Sequence, residues 1–242
     1  MHFDSTVEWN TTLYINFMDY EKAFDSLHRE SMWKILRHHG IPPKIVALIK
    51  MMYKDPKCRV ICNNTTTESF KVTTGVKQGC LLSPILFILA MNWVMKETTK
   101  DRKRGIRWTL TSVLEDLDYA DDVGLLSSCY KDMQEKTTRM KETSELIGLK
   151  VNKKKTKVMK INSKKNDPIR IDDHELEDVE EFDYLGSRTT ADGDAMRDVK
   201  ARLSKARHAF ASLKTLWQAR NISISTKMRI YKSNIISVLL YS

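Results

Sequence analysis

Three aspartates in this 242-residue sequence stand where carboxylates could do chemistry. Two are adjacent, in Tyr119-Ala120-Asp121-Asp122, between the runs Val113–Tyr119 and Val123–Ser127 that read as the strands of a hairpin. Adjacent aspartates in a turn are ordinarily solvated turn formers. Here Leu117, Tyr119, Val123, Leu125 and Leu126 make the hairpin apolar enough to lie against a core. Two ionised carboxylates in such a place repel each other and lose hydration unless a cation pairs them. Magnesium takes oxygen ligands, commonly one or two carboxylates together with substrate phosphates. The third aspartate, Asp19, ends the apolar run Leu13–Met18, which reads as a strand. Alone it could be no more than a strand-end cap. Two strands ending in Asp at one edge of a sheet can converge on a pair of metal ions about 3.5–4 Å apart, an arrangement suited to in-line displacement at phosphorus.

The elements that must position these residues are legible in outline. Helices are predicted over Arg29–His39, closed by Gly40, and over Pro43–Lys54, entered through Pro42 and Pro43. Lys57–Cys62 and Ser69–Thr73 read as paired strands about the polar turn Asn63-Asn64. Ser83 as N-cap and Pro84 at the first helical position open a helix so apolar all round that it should be buried behind a sheet. A charged amphipathic helix is expected from Lys131 to Ile147, stopped by Gly148. Short strands are expected at Leu149–Asn152, Lys157–Ile161 and Phe182–Leu185. From Asp194 on, Met196, Val199, Leu203, Ala206, Phe210, Leu213 and Trp217 recur at intervals of three and four, as one apolar helix face. A last helix is expected from Thr226 to Tyr241.

Apolar residues at 41% and charged residues at 30% fit a globular chain of one domain or two small ones. The longest nearly apolar run, Ile85–Met95, is too short to span a bilayer, and no membrane partner is expected. Asp4 and Glu8 stand where a signal peptide would carry basic residues. Cys58, Cys62, Cys80 and Cys129 form no zinc pattern with the six histidines and read as thiols of a reducing, intracellular compartment. The net charge of +10 favours a polyanionic partner. Much of it is clustered. Lys150, Lys153, Lys154, Lys155, Lys157, Lys160, Lys164, Lys165 and Arg170 form one cluster, and Arg197, Lys200, Arg202, Lys205, Arg207 and Lys214 a second. An acidic segment, Asp172 to Asp183, lies between them; either cluster could equally be a solvated face.

The order of short motifs resembles the reverse transcriptases of LINE-type, non-LTR retrotransposons. Phe17-Met18-Asp19-Tyr20-Glu21-Lys22-Ala23-Phe24-Asp25 is similar to their first palm motif. Gly75-Val76-Lys77-Gln78-Gly79-Cys80-Leu81-Leu82-Ser83-Pro84 is similar to the second, and Tyr119-Ala120-Asp121-Asp122 to the third. Gly148-Leu149-Lys150-Val151-Asn152 with Lys155-Thr156 resembles the fourth, and Phe182-Asp183-Tyr184-Leu185-Gly186 the primer grip. Each motif alone is weak; five in order are specific.

The resemblance implies an α+β right-hand polymerase palm, a sheet backed by helices, over residues 1–170. A primer-grip hairpin over 171–190 and a helical start of a thumb over 191–242 would follow. It implies that Asp19, Asp121 and Asp122 hold two magnesium ions, or manganese in their place. Phe24 would be a steric gate against a 2′-hydroxyl, with Tyr20, Gln78 and Gly79 beside the incoming dNTP. Lys155 would be the general acid for pyrophosphate or, within its lysine run, a purely electrostatic partner of it, and Tyr184, Leu185 and Gly186 would hold the primer end. The implied partners are an RNA template and a DNA primer. The family's fingers precede the first motif and its thumb continues beyond the last helix. The sequence therefore reads as a truncated copy, inactive by itself. A non-catalytic nucleic-acid-binding remnant is the alternative. A group II intron maturase shares several motifs but carries a further thumb-like domain.

Overall fold

The computed structural model describes residues 11–109, 111–163 and 167–240. The readings placed on Asp4, Glu8, Lys164, Lys165 and Tyr241 fall outside them. The chain divides into two compact units, one formed by residues 13–158 and the segment ending at Asp178, the other chiefly by residues from 179 onward.

In chain order the elements up to Asp178 are β1 (Leu13–Met18), a helical turn α1 (Ala23–Ser26), α2 (Arg29–His38) and α3 (Pro43–Met52). Four short strands follow, β2 (Lys57–Cys58), β3 (Ile61–Cys62), β4 (Thr65–Thr66) and β5 (Phe70–Lys71), then α4 (Ser83–Thr99), β6 (Ile106–Arg107) and β7 (Val113–Leu114). β8 (Asp116–Tyr119), β9 (Asp122–Ser127), α5 (Tyr130–Leu146), β10 (Lys157–Ile161), β11 (Arg170–Ile171), β12 (His174–Glu175) and β13 (Glu177–Asp178) complete the series. The main sheet has five strands in the order β13-β10-β1-β9-β8. Every residue of β1 is buried, as befits a central strand covered on both faces. α5 packs on β1 and β9, α4 on α5, and α2 on α4. On α5 the inward residues are Met133, Thr137, Met140 and Ser144, at helical spacing, joined by one lysine, Lys136. Thr137 also accepts a hydrogen bond from buried Asn16 of β1, at 2.8 Å.

Three expectations are corrected here. α4 is not buried all round: Leu86, Phe87, Ala90, Met91 and Val94 enter the core, but Ile85 and Ile88 are exposed. The helices that pack on it cover one side only. Ser83 is not the cap of α4; Leu82 holds that position, and the Ser83 hydroxyl donates to the Lys77 carbonyl at 2.5 Å. The strand expected at Leu149–Asn152 reduces to a single bridge between Val151 and Tyr20.

The second unit holds a hairpin, β14 (Glu181–Tyr184) and β15 (Ser187–Thr190), then α6 (Ala195–Ser212), α7 (Lys214–Gln218), α8 (Ile224–Tyr231) and α9 (Ser237–Leu240). The hairpin turn, Leu185-Gly186, has φ of 51° and 85°, the two positive values that two-residue hairpin loops favour. Asp194 caps α6, accepting from the Met196 amide at 3.0 Å. The long helix ends at Ser212 rather than running to Trp217. Trp217 instead turns back, donating from Nε1 to the Phe210 carbonyl and stacking on the Phe210 ring. The apolar face has Ala206 buried, but Met196, Val199 and Phe210 remain about half exposed. Between α8 and α9, Lys232–Ile236 is a π-helical turn.

Candidate active site

Antiparallel pairing places the three aspartates together. β1 and β9 pair from Tyr14 opposite Ser127 to Met18 opposite Val123. One more step of that register sets Asp19 opposite Asp122. β8 and β9 pair to Tyr119 opposite Asp122, leaving Ala120 and Asp121 as the turn. Ala120 takes φ of 59°, a region where non-glycine residues are uncommon, so the turn beside Asp121 stores backbone strain. The backbone of Asp19 is held from the other side by the fourth motif. Its carbonyl accepts from the Asn152 amide at 2.8 Å, and its amide donates to the Thr156 hydroxyl at 3.3 Å.

The electrostatics follow from that crowding. Burial pushes the Asp19 carboxyl above the usual carboxylate range; Lys155 pulls it back, Asp121 pushes it further, and a hydrogen bond from the Asn152 side chain lowers it. Burial likewise raises Asp122, and the charges of Asp121 and Asp19 add to it. Asp19 Oδ2 is buried with no hydrogen-bond partner. Among the described residues no three His, Cys, Asp or Glu side chains close into a ready metal cage. That is no obstacle for magnesium, which uses one or two carboxylates and takes its remaining ligands from water and substrate phosphate. A buried, partnerless carboxylate oxygen among like charges is a fit for a cation.

The far end of the β8–β9 hairpin is fastened by a buried ammonium. Lys136 Nζ donates to the carbonyls of Glu115 and Leu126, both at 2.7 Å, and pairs with the Glu115 carboxylate at 2.6 Å. Every proton of the cation has an acceptor, which lets it stay charged in the core. Asp116, next to it on β8, has its carboxyl pushed up to about 6 by burial and by the charge of Asp118.

Phe24, Gln78 and Gly79 line one cavity of about 490 Å³, together with Cys80, Leu81, Ser83 and Pro84. Phe24 is half-buried and stacks on Phe87 of α4 with ring centroids 4.5 Å apart. Gln78 donates from Nε2 to Asp25 at 3.2 Å. Gly79 has φ of 81°, and a Cβ there would meet nothing within 4 Å, so it leaves open space on the cavity wall. The strap leading into this loop is held by a residue of α2 that no motif singled out. Arg29 donates to three of its carbonyls: Val72 at 2.7 Å, Thr74 at 2.9 Å and Gly75 at 2.9 Å. Its partners lie more than forty positions away in sequence, so no local pattern signals them.

Tyr20 is a correction. It was expected beside the substrate, yet its side chain lies in the core at 6% exposure, with its hydroxyl 2.8 Å from the Ser144 hydroxyl. Successive side chains of an extended chain face opposite ways, so the neighbour of Asp19 cannot share its face. The lysine-rich stretch is also less free than its composition suggests. Lys153 pairs with Asp172 at 2.7 Å, Lys150 with Glu21 at 3.4 Å, and Lys157 with Glu177. The acidic segment that follows it in sequence thus neutralises part of it. Tyr184, Leu185 and Gly186 form the tip of the β14–β15 hairpin, within the second unit.

Comparison with known proteins identifies the family. The sequence pattern of the family described as reverse transcriptase (RNA-dependent DNA polymerase) matches residues 4–189. The chain belongs to the reverse transcriptase family. A domain family of unknown function matches residues 209–241. Among curated relatives, this reverse transcriptase chain is 27% identical over 191 residues to the Pol polyprotein of the retrotransposable element R2DM of Drosophila melanogaster, a match covering 74% of this chain and 18% of that one. It is 26% identical over 186 residues to the R2 Pol polyprotein of Nasonia vitripennis, covering 72% and 18%. The resemblance to LINE-type reverse transcriptases is thereby shown, and the chain spans about a fifth of the length of these relatives. Its fold is similar to telomerase from Candida tropicalis in complex with a TWJ fragment of telomeric RNA, with a TM-score of 0.58 and 17% identity over 98% of this chain and 40% of that one. Telomerase from Candida albicans gives 0.53 and 13%, over 97% and 39%. The α+β fold is that of a polymerase palm. Among the described residues no helix is long and apolar enough to cross a membrane.

Proposed function

We propose that this chain is the catalytic palm of an RNA-directed DNA polymerase, adding deoxynucleotides to the 3′-hydroxyl of a DNA primer on an RNA template. The observation that carries the reading is the register that sets Asp19 beside Asp122, with Asp121 at the adjoining turn. Asp19, Asp121 and Asp122 would hold two magnesium ions, or manganese. Bound there, the metal would supply positive charge to the phosphates and favour ionisation of the primer hydroxyl.

The chain's own residues account for the rest. The primer oxygen attacks the α-phosphorus, the bond to the bridging oxygen breaks, and pyrophosphate leaves. Lys155, whose charge reaches Asp19, would give the leaving pyrophosphate a proton. Phe24, held flat by Phe87, would occupy the space a 2′-hydroxyl needs, while Gln78 and the open wall at Gly79 admit the deoxynucleotide. Tyr184, Leu185 and Gly186, at the tip of the β14–β15 hairpin, would support the primer end.

Primer extension on an RNA template, run beside metal-free template–primer binding, tests the reading. Asp121→Asn should lower extension by about a hundredfold or more while binding and unfolding stay near wild type. Equal extension by the variant, or binding without extension by the wild-type sequence even when the family's N-terminal finger segment is supplied, would leave a nucleic-acid-binding module in place of a polymerase.

A further inference from the structure

We propose that Arg29 is a positioning residue that sets the width of the nucleotide cavity by clamping the strap 72–75 against the turn that carries Phe24. This inference rests on the polymerase reading of that cavity.

The strap has no sheet ladder beyond β5. Its amides go to scattered acceptors: Val72 to the Pro56 carbonyl at 3.1 Å, Gly75 to Leu27 at 2.8 Å, and Val76 to Phe24 at 2.7 Å. Its carbonyls at 72, 74 and 75 all converge on the one guanidinium of Arg29. Three carbonyl dipoles aimed at one point repel each other without a cation between them. Arginine answers that geometry because its planar fork presents several fixed donors, whereas a lysine ammonium is a compact point charge. The Tyr53 ring lies 5.1 Å from the same guanidinium, and Lys77 lies 5.3 Å from that ring. The clamp therefore continues to the residue just before Gln78.

Both walls of the cavity depend on this arrangement. The Gly75 and Val76 amides bond to carbonyls of the segment that bears Phe24, and Gln78 bonds to Asp25 of that segment. The approach is so close that a Cβ on Gly75 would lie 2.6 Å from the Asp25 backbone. Any shift of the strap moves Gln78 and Gly79 relative to the Phe24 ring. Discrimination against one hydroxyl depends on sub-ångström spacing, so Arg29 governs sugar selection without touching the nucleotide.

The test compares the full wild-type chain with Arg29→Gln, Arg29→Lys and Phe24→Val. Hydrogen exchange follows the Gly75 and Val76 amides, with Leu125 and Leu126 as internal references. Sugar preference is read twice, as the dNTP-to-rNTP ratio of kcat/KM in extension and as protection of amides 75–80 by added dNTP or rNTP. Arg29→Gln should speed exchange at 75 and 76, leave 125 and 126 unchanged, and lower the ratio about tenfold through KM, the scale of a small misplacement. Arg29→Lys should recover little of it. Unchanged exchange at 75 and 76, an unchanged ratio, or equal loosening of 125 and 126 would each overturn the proposal. A wild-type chain without sugar preference in either readout would sink the polymerase reading of the cavity, and this inference with it. Preference retained in Arg29→Gln but lost in Phe24→Val would sink this inference alone.

Discussion

The aspartate edge and the nucleotide strap lie in the same unit but are held in different ways. Asp19 directly follows β1 and Asp122 opens its partner strand β9, with a fully buried β1 behind one and a charged anchor, Lys136, at the root of the other. The strap has two short bonds to the Phe24 segment and one arginine. Position in the first region comes from backbone repetition, in which many bonds share the load. In the second it comes from particular side chains, each of which matters singly. A site can thus have one part as stiff as its core and another that a single substitution would shift.

Substitutions that disturb each support test that contrast. Lys136→Met should have the largest effect. It removes the partner of Glu115 and two carbonyls in the core, and losing one member of a buried pair costs about 3–5 kcal/mol. Urea unfolding should show the loss as a shift of the whole transition, and a Lys136→Met/Glu115→Gln double variant should recover part of it. A loss under 1 kcal/mol would mean that the ladder alone holds the hairpin. Gly75→Ala comes next. At φ of 76° and against the Asp25 backbone, the methyl should cost at least about 1–2 kcal/mol for conformation alone. Its mark should be local, with faster exchange at 75–80 and a raised dNTP KM. A global loss equal to that of Lys136→Met would erase the distinction between the two regions.

The last effect depends on pH. Asp116 titrates near 6 in the fold against an ordinary value of 3.8. Between those values the folded chain keeps a proton that the unfolded chain releases, so stability falls as pH rises through the window. Asp116→Asn should therefore stabilise the chain above pH 6 and change little near pH 4. Equal stabilisation at both would place the cause elsewhere than in ionisation.

The same contrast governs what the sequence could disclose. β1 and the β8–β9 hairpin were legible because apolar runs broken by acids give both the strands and their ends. The β14–β15 hairpin was expected from the resemblance, but Leu185, read as a strand residue, belongs to the turn. Arg29 was not, because its acceptors are backbone carbonyls of a distant loop, and carbonyls leave no trace in residue type. Tyr20 was misplaced because motif membership says nothing about which way a side chain faces; strand alternation would have pointed it away from Asp19. Ser83 looked like a cap on composition alone, but a tight turn at Lys77–Cys80 diverts its hydroxyl. The lysine run looked free because charge pairing across nineteen positions, as between Lys153 and Asp172, cannot be read from a string.

Asp116 and Asp118 sit on β8, which ends the sheet on one side. Their side chains share one face of the sheet, because alternate residues of a strand point the same way. The charge of Asp118 therefore acts on Asp116 along the strand, and burial adds to it. Strand alternation, which elsewhere in the sheet sorts apolar from polar side chains, here brings two like charges together, and the proton that Asp116 keeps up to about pH 6 relieves that pairing.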